Sequence, residues 1–559
     1  MKPLRTRMPT LTRRTRIAAA IVTALAVGAG TAYGTAGHRQ AGPQGDGTAV
    51  TPAGWRVSPV GAQTALGSLP TASALSPDGR LLLVLNAGDA PKESLQVVAT
   101  ATGKVVQQFD YQTPDGVYGG VAFSPDGRHA YASAGGHGTV HVYAVDAADT
   151  VTEGAPIVLP TTNPAGQKVT MYPAGLAVTP DGGRLVVADQ LADAASVVDL
   201  TTGAVTATVA VGHNPYGVAL SPDGRTAYVS NQGANTVTVL DLTGAAPVVA
   251  RTVTVGTHPN RLTVDPRSGT LYVANSESDS ISVVRAGAAA PSHSFDLAPY
   301  RGAPIGSNPD GVSLSPDGRR LYVANSGNND VVVLSTASGR TLGMIPTAWY
   351  PTSVTPSPDG RRLYVVNAKG LGAGPNPNGP DPYTDAALHG TPGWLDQYVG
   401  TMIIGSLSTV ATPDADQLAH WSRTVVANDG FDERDKVRST ARSADNPIPT
   451  RVGESSPIKH VIYVVKENRT FDQEFGSLGK GDGAAALNLF GDESAPNARA
   501  LQSKFVTLDN FYANAEVSAQ AGTGRWARTP TPTSSRPGSA TTPAAATRTT
   551  TRAATSRPR

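Results

Sequence analysis

The chain has 559 residues, too many for one ordinary core, and reads as two or more domains. Only 16% of its residues are charged while Gly (60) and Pro (44) abound, so short strands joined by turns are expected in place of long helices; the lack of cysteine excludes disulfides, thiolate metal sites and a cysteine nucleophile. The net charge of +2 hides a segregation: Met1 to Arg16 holds six basic residues and no acid, Ala521 to Arg559 holds seven arginines and no acid, and the body between them sets 32 basic residues against 43 acidic ones, which repels a phosphate backbone and excludes nucleic acid as a partner.

Residues 1–36 read as an export signal. Arg13, Arg14 and Arg16 precede an apolar run from Ile17 to Tyr33, and the small residues Gly34, Thr35 and Ala36 follow where a signal peptidase cuts. The run is short and Gly-interrupted for a membrane span. If uncleaved it is an anchor, and the membrane is a partner through it alone. The pair Arg13-Arg14 fits the twin-arginine route as well as the general one. The protein is therefore expected outside the cell or at its envelope, as a monomer.

Residues 54–412 repeat. A Pro-Asp-Gly turn places its Asp at Asp78, Asp126, Asp181, Asp223, Asp265, Asp317 and Asp359, the fifth copy reading Asp-Pro-Arg-Ser-Gly. Copies lie 42 to 55 residues apart, the length of a four-stranded propeller blade with some loop insertions. Seven residues before each turn proline stands Pro70, Pro173, Pro215, Pro259, Pro309 or Pro351, with Tyr118 in the second copy. The turn chemistry is that of a hairpin: Pro presets φ, Asp accepts local N–H groups, and Gly takes the left-handed conformation. The strand that follows, as in Arg320-Leu-Tyr-Val-Ala-Asn325 or Arg362-Leu-Tyr-Val-Val-Asn367, is β-rich and apolar enough to be buried on both faces between blades. Seven copies predict an all-β, seven-bladed propeller. Tyr322-Val323-Ala324-Asn325 and its relatives, together with the Ser-Pro-Asp-Gly turns, resemble the YVTN-repeat (YncE-like) propellers. That resemblance implies an exported or surface-associated binding scaffold without an agreed catalytic site.

Two features of this region bear on function. Gly212-His-Asn-Pro215, Gly256-Thr-His-Pro259 and Ser307-Asn-Pro309 recur at matching places, so His213, His258 and Asn308 either face one end of the central channel or cap strand ends and turns. The insertion from Gly370 to Gly390 is too long for a hairpin loop and reads as a functional or covering loop.

Residues 413–457 are polar and poorly periodic, a linker with one short helix. Lys459-His-Val-Ile-Tyr-Val-Val465 then reads as a buried parallel-type strand, and Lys466-Glu-Asn-Arg-Thr-Phe-Asp472 follows at its C-terminal end, where ligands bind in open α/β sheets. The block Ile458 to Asp472, continued by Phe475-Gly476, resembles the opening of bacterial phosphoesterases of the phospholipase C and acid phosphatase type, in the alkaline phosphatase superfamily. The resemblance implies an α/β segment, residues 458–520, whose Glu467 and Asn468 ligate a divalent metal cation, and a phosphoester as substrate. Phe505 to Ser518 resembles the strand and loop leading to that superfamily's nucleophile, which puts Ser518 in the attacking role. The domain is truncated: after His460 there is no histidine, and the remaining Asp residues are Asp472, Asp482, Asp492 and Asp509. Residues 521–559 are low in complexity and cannot form a core, which reads as an out-of-frame or disordered basic tail. The sequence thus supports two functions: an exported propeller carrying a phosphoesterase-type module, inactive in this truncated form, or a non-catalytic propeller scaffold whose ligand lies in the envelope.

Overall fold

A computed structural model describes residues 41–509 apart from 53, 89–92, 112–114, 245, 373–403, 432–446, 448–454, 463, 465 and 467–468. Its repeating unit grows from the turn. In the fourth copy the Ser221 hydroxyl donates to Asp223 Oδ1 (2.5 Å) and accepts the Thr226 N–H (3.0 Å), while the same carboxylate oxygen accepts the Arg225 N–H (3.1 Å). The Ser221 hydroxyl, with the Arg225 N–H second, holds the Asp223 carboxyl below the usual carboxylate range. Gly224 sits at φ 68°, the left-handed region that releases the next strand. Ser76, Ser124, Thr179, Ser315 and Ser357 make the same bond to Asp78, Asp126, Asp181, Asp317 and Asp359. The divergent fifth copy reaches the same end with one more residue: Ser268 donates to Asp265 Oδ2 (2.6 Å) and Gly269 takes φ 67°.

Each turn joins the innermost strand of a blade to its second strand. Blade 1 comprises Pro70–Leu75, Leu81–Asn86, Glu93–Ala99 and Lys104–Tyr111; blade 2 Val121–Phe123, His129–Ser133, Thr139–Val145 and Val151–Glu153, with the short Ile157–Val158 added. Blade 3 comprises Pro173–Val178, Arg184–Asp189, Ala194–Asp199 and Ala204–Ala210; blade 4 Pro215–Leu220, Thr226–Asn231, Thr236–Asp241 and Val248–Thr254. Blade 5 runs Pro259–Val264, Leu271–Asn275, Ser280–Val284 and His293–Asp296; blade 6 runs Arg320–Asn325, Asp330–Ser335 and Thr341–Pro346 outward from Pro309–Leu314. Blade 7 takes Trp349–Pro356, Arg362–Gly370 and Ile404–Ala411 from one end of the repeat region and Ala62–Ser68 from the other. That last antiparallel pairing closes the ring, so no blade is left with an open face at the seam.

The second strands carry the core. Leu81, Leu83 and Leu85 of blade 1 pack toward Ala130, Ala132 and Tyr143 of blade 2, while Leu82 and Val84 between them pack toward Tyr364, Val366 and Leu407 of blade 7. A strand with period-2 side chains and a neighbour on each face is apolar along its whole length for that reason. Each fully buried leucine there contributes about 1.5–3 kcal/mol.

Within residues 413–457, helix α1 (Ala415–Asp429) is more than a connector. Asp414 caps it by accepting the Gln417 N–H (2.8 Å). Its buried Leu418 rests over Gly343, where a Cβ would come within 2.6 Å of Leu418 Cγ, and Ser422 Oγ accepts the Met344 N–H (2.9 Å). The helix thereby covers the outer strand of blade 6, an edge otherwise open to pairing.

The described part of residues 455–509 departs from the expected α/β sheet. It holds helix α2 (Phe471–Phe475), helix α3 (Pro496–Lys504) and a single turn at Ala485–Leu487, and no strand is formed among the described residues there. Val461, Ile462 and Val464, expected inside a parallel sheet, are 82%, 90% and 79% exposed. The physical reason is that the described residues offer no partners: a parallel strand is buried by flanking strands and crossover helices, and without them its apolar side chains have nothing to pack against.

Candidate functional site: the mouth of the central channel

The innermost strands surround the axis, and the residue entering six of them is left-handed: Leu69, Tyr172, Asn214, His258, Asn308 and Tyr350 have φ between 47° and 65°. Four of these are pinned by the preceding blade. Asp193, Asn235, Asp279 and Asn329, themselves left-handed in the hairpins between second and third strands, accept the N–H groups of Asn214, His258, Asn308 and Tyr350 at 2.9–3.0 Å. Asp and Asn suit this post because they tolerate positive φ and carry an acceptor on a short stem.

His213, His258 and Asn308 therefore do not form one set. His213 matches Thr257 and Ser307, one position ahead of the left-handed residue, is 63% exposed, and lies with Nδ1 3.0 Å from Asp193 Oδ1. The His258 side chain is 12% exposed, its Nδ1 3.7 Å from Glu277 Oε1 and its Nε2 unpartnered; this partial burial pushes its pKa down to about 4 and raises the Glu277 carboxyl. Asn308 Nδ2 lies 3.4 Å from the Tyr350 hydroxyl. These residues secure inter-blade loops.

The channel itself is organised by a residue the repeat pattern passed over. The third position of the innermost strands is small nearly all round: Ala72, Gly120, Gly175, Gly217, Gly311 and Ser353. A Cβ at Gly120 would lie 2.3 Å from Ala174 O, and one at Gly175 2.3 Å from Tyr216 O. In blade 5 the position is Arg261, and its guanidinium reaches across the axis. Nη1 donates to Asp310 Oδ1 (2.7 Å) and Thr352 O (3.1 Å); Nη2 donates to Thr71 O (2.7 Å) and Gly119 O (3.4 Å); the group stands 5.7 Å from the Tyr216 ring centroid. One side chain thus ties blade 5 to blades 6, 7, 1 and 2 and fills the channel. The signal was present in the sequence: Pro173-Ala-Gly, Pro215-Tyr-Gly and Pro309-Asp-Gly have the odd partner Pro259-Asn-Arg.

Around this plug runs a polar belt. Tyr118 OH donates to Gln190 (2.9 Å), Gln190 Nε2 lies 3.5 Å from Gln232 Oε1, Gln232 Nε2 lies 3.4 Å from Asn260 Oδ1, and Asn260 donates to Asp310 (2.7 Å). Tyr118 stands edge-on to Tyr172 (4.8 Å between centroids) and 6.5 Å from Tyr216, while Lys369 sits over Trp349 at 4.7 Å. Tyr118, Tyr172, Trp349 and Tyr350 are half-buried, so each keeps part of its ring at the surface. Gln190, Gln232 and Asn260 are buried and bonded within the belt, so what the mouth offers a ligand is the exposed parts of the Tyr118, Tyr172, Trp349 and Tyr350 rings.

Glu467, Asn468 and Ser518 lie outside the described residues, as does the insertion from 373 to 390. Near them, Thr470 and Gln473 close a capping box on α2, Lys466 pairs with Glu474, and buried Arg499 donates to Asp492 Oδ1 (2.7 Å) and Glu474 O (2.6 Å). Two further acids of this segment hold its backbone: Asp472 accepts the Ala484 N–H and Asp509 the Asp482 N–H. Among the described residues, which do not include Glu467, Asn468 or Ser518, no three His, Asp or Glu side chains converge to hold a metal.

No curated protein matches the chain. Among solved structures it is similar to hydrazine synthase of Kuenenia stuttgartiensis, at 21% identity over 55% of this chain and 94% of that one with a TM-score of 0.43, and to a functionally unknown protein from Desulfotomaculum acetoxidans, at 17% identity over 50% and 86% with a TM-score of 0.41. Residues 130–297, from the second strand of blade 2 to the end of blade 5, match the model of the YncE-like beta-propeller, and this part of the chain is a propeller domain of that type.

Proposed function

We propose that the chain is an exported, non-catalytic binding scaffold whose channel mouth holds a neutral, hydroxyl-rich ligand of the cell envelope, a polysaccharide being the class that fits. The observation that supports it is the mouth itself: half-exposed Tyr118 and Tyr172 flank amides from three blades over a channel filled by Arg261. A sugar offers C–H faces to the tyrosine rings, and it brings no charge that the filled Arg261–Asp310 pair would have to answer. Co-sedimentation of the full-length chain with insoluble envelope polysaccharide tests the reading. Tyr118→Ala with Tyr172→Ala should cut retention at least tenfold, the loss of about 1.4 kcal/mol; equal retention of the variant, or none of the parent chain, defeats it.

A second reading keeps the phosphoesterase-type module. What supports it is a groove of about 560 Å³ lined by Lys466, Arg469, Glu474 and Phe490, two of whose cations flank the Glu467-Asn468 block in sequence. In that reading a divalent metal at Glu467 and Asn468 would supply the charge that activates Ser518. Because no histidine follows His460 to complete a ligand set, the 559-residue chain should give no turnover of p-nitrophenyl phosphate with added Zn²⁺, Mn²⁺ or Ca²⁺. Turnover abolished by Ser518→Ala would establish the hydrolase instead.

A further inference from the structure

Two of the loops that enter the innermost strands carry residues that suit their backbone poorly. Blades 4 and 6 meet the left-handed conformation with Asn214 and Asn308, the residue type that tolerates positive φ. Blade 1 uses Leu69, which is 3% exposed, so packing accounts for it. Blades 3 and 7 use Tyr172 (φ 55°) and Tyr350 (φ 65°), bulky residues in a region that penalises them, and both are half-buried, so core packing does not account for them. A strained backbone that carries a partly exposed ring points to what that ring can touch.

Each of these tyrosines belongs to an aromatic pair. Tyr172 stands edge-on to Tyr118, 4.8 Å between centroids. Tyr350 follows Trp349, and Lys369 Nζ sits 4.7 Å from the Trp349 ring centroid and 5.6 Å from that of Tyr350, fixing the two rings together. Asn329 Oδ1 accepts the Tyr350 N–H (3.0 Å), and Asn308 Nδ2 lies 3.4 Å from the Tyr350 hydroxyl. The two pairs are neighbours across the channel. The carbonyls of Gly119, directly after Tyr118, and of Thr352, two residues after Tyr350, both accept from the Arg261 guanidinium, at 3.4 Å and 3.1 Å, so the backbones under the pairs are separated by no more than one guanidinium and its hydrogen bonds. Between them runs the entry of blade 1, bonded on each side: Thr352 Oγ1 donates to Pro70 O (3.1 Å) and Thr71 Oγ1 to Tyr118 O.

Held aromatic pairs a short way apart suit a ligand whose apolar faces repeat. We propose that Trp349 and Tyr350 form a second subsite, and that the ligand is a linear, neutral glycan chain lying on both pairs at once. This rests on the reading of the mouth as a polysaccharide site and adds the form of the chain it recognises. One sugar ring covers one pair; a chain seated on the first pair is tethered beside the second, which multiplies its affinity without a new kind of contact.

The test titrates the full-length chain calorimetrically with neutral envelope polysaccharide, hydrolysed and sized into fractions of about two and about ten sugars; per sugar unit, the long fraction should bind about tenfold tighter. Tyr350→Asn, which copies the entry residue of blades 4 and 6 and so keeps the turn, should bring the long fraction down to the affinity of the short one. Trp349→Ala should do the same, and Tyr350→Asn decides the matter if loss of the Trp349 packing against Ala49 and Val57 prevents folding. Equal affinity of the two fractions, or a length preference retained in Tyr350→Asn, would overturn the second subsite and leave the Tyr118–Tyr172 site standing; no binding of either fraction would remove both.

Discussion

His258 and Asp189 set the pH range of the propeller from opposite sides. His258 is neutral in its loop, with a folded pKa of about 4 against an ordinary value near 6.5. Its contribution to stability is present above pH 6.5 and is lost as pH falls toward 4, because the unfolded chain takes the proton first. Asp189 stands where Asn86, Asn231, Asn275, Asn325 and Asn367 stand in other blades, fully buried, and accepts from Ser196 Oγ (2.6 Å); burial pushes it up to about 8. Its contribution is fully present below about pH 4 and is lost as pH rises toward 8. His258→Asn, the residue at the matching places Asn214 and Asn308, should flatten the acid side of the stability curve by on the order of 2 kcal/mol, and Asp189→Asn should flatten the alkaline side. Urea midpoints across pH 4–9 check both; curves parallel to the parent would contradict them. The left-handed geometry at His258 could not be read from one sequence, since it follows from an inter-blade bond to Asn235. Arg261 was legible as a break in Pro-X-Gly, but its role needs four carbonyl and carboxylate partners from blades up to 190 residues away.

At the scale of elements, the strands were legible wherever local chemistry and burial agreed. Ser315-Pro-Asp-Gly318 followed by Arg320–Asn325 carries its own turn and its own apolar run, and the observed register, Leu314 opposite Leu321, is the one that turn imposes. Lys459 to Val465 has the same β-rich composition, yet its described residues form no strand, because composition states only that a segment would gain from burial, and the described surroundings provide no sheet to bury it. Helix α1 shows the converse. Its sequence, Ala415–Asp429, is polar on most faces, so its attachment rests on a few contacts: Leu418 over Gly343, Ser422 to Met344 and the buried terminal Asp429.

Over the whole molecule, the closing strand Ala62–Ser68 joins the start of the repeat region to Ile404–Ala411 at its end, so the blades share one ring and the channel mouth is built from every part of it. That explains why the mouth was the least legible feature: Tyr118, Gln190, Gln232, Asn260 and Asp310 come from five blades and meet only through closure. It also separates two faces, one made of Ser-Pro-Asp-Gly turns that repeat almost identically, the other of loops that differ from blade to blade and carry the aromatic and amide groups. The proposed ligand binding belongs to the second. Hydrogen–deuterium exchange of the full-length chain with and without envelope polysaccharide measures this directly: protection is predicted in the peptides containing Tyr118, Tyr172 and Gln232, and protection confined to the Ser-Pro-Asp-Gly turns or to residues 455–509 would contradict a ligand at the channel mouth.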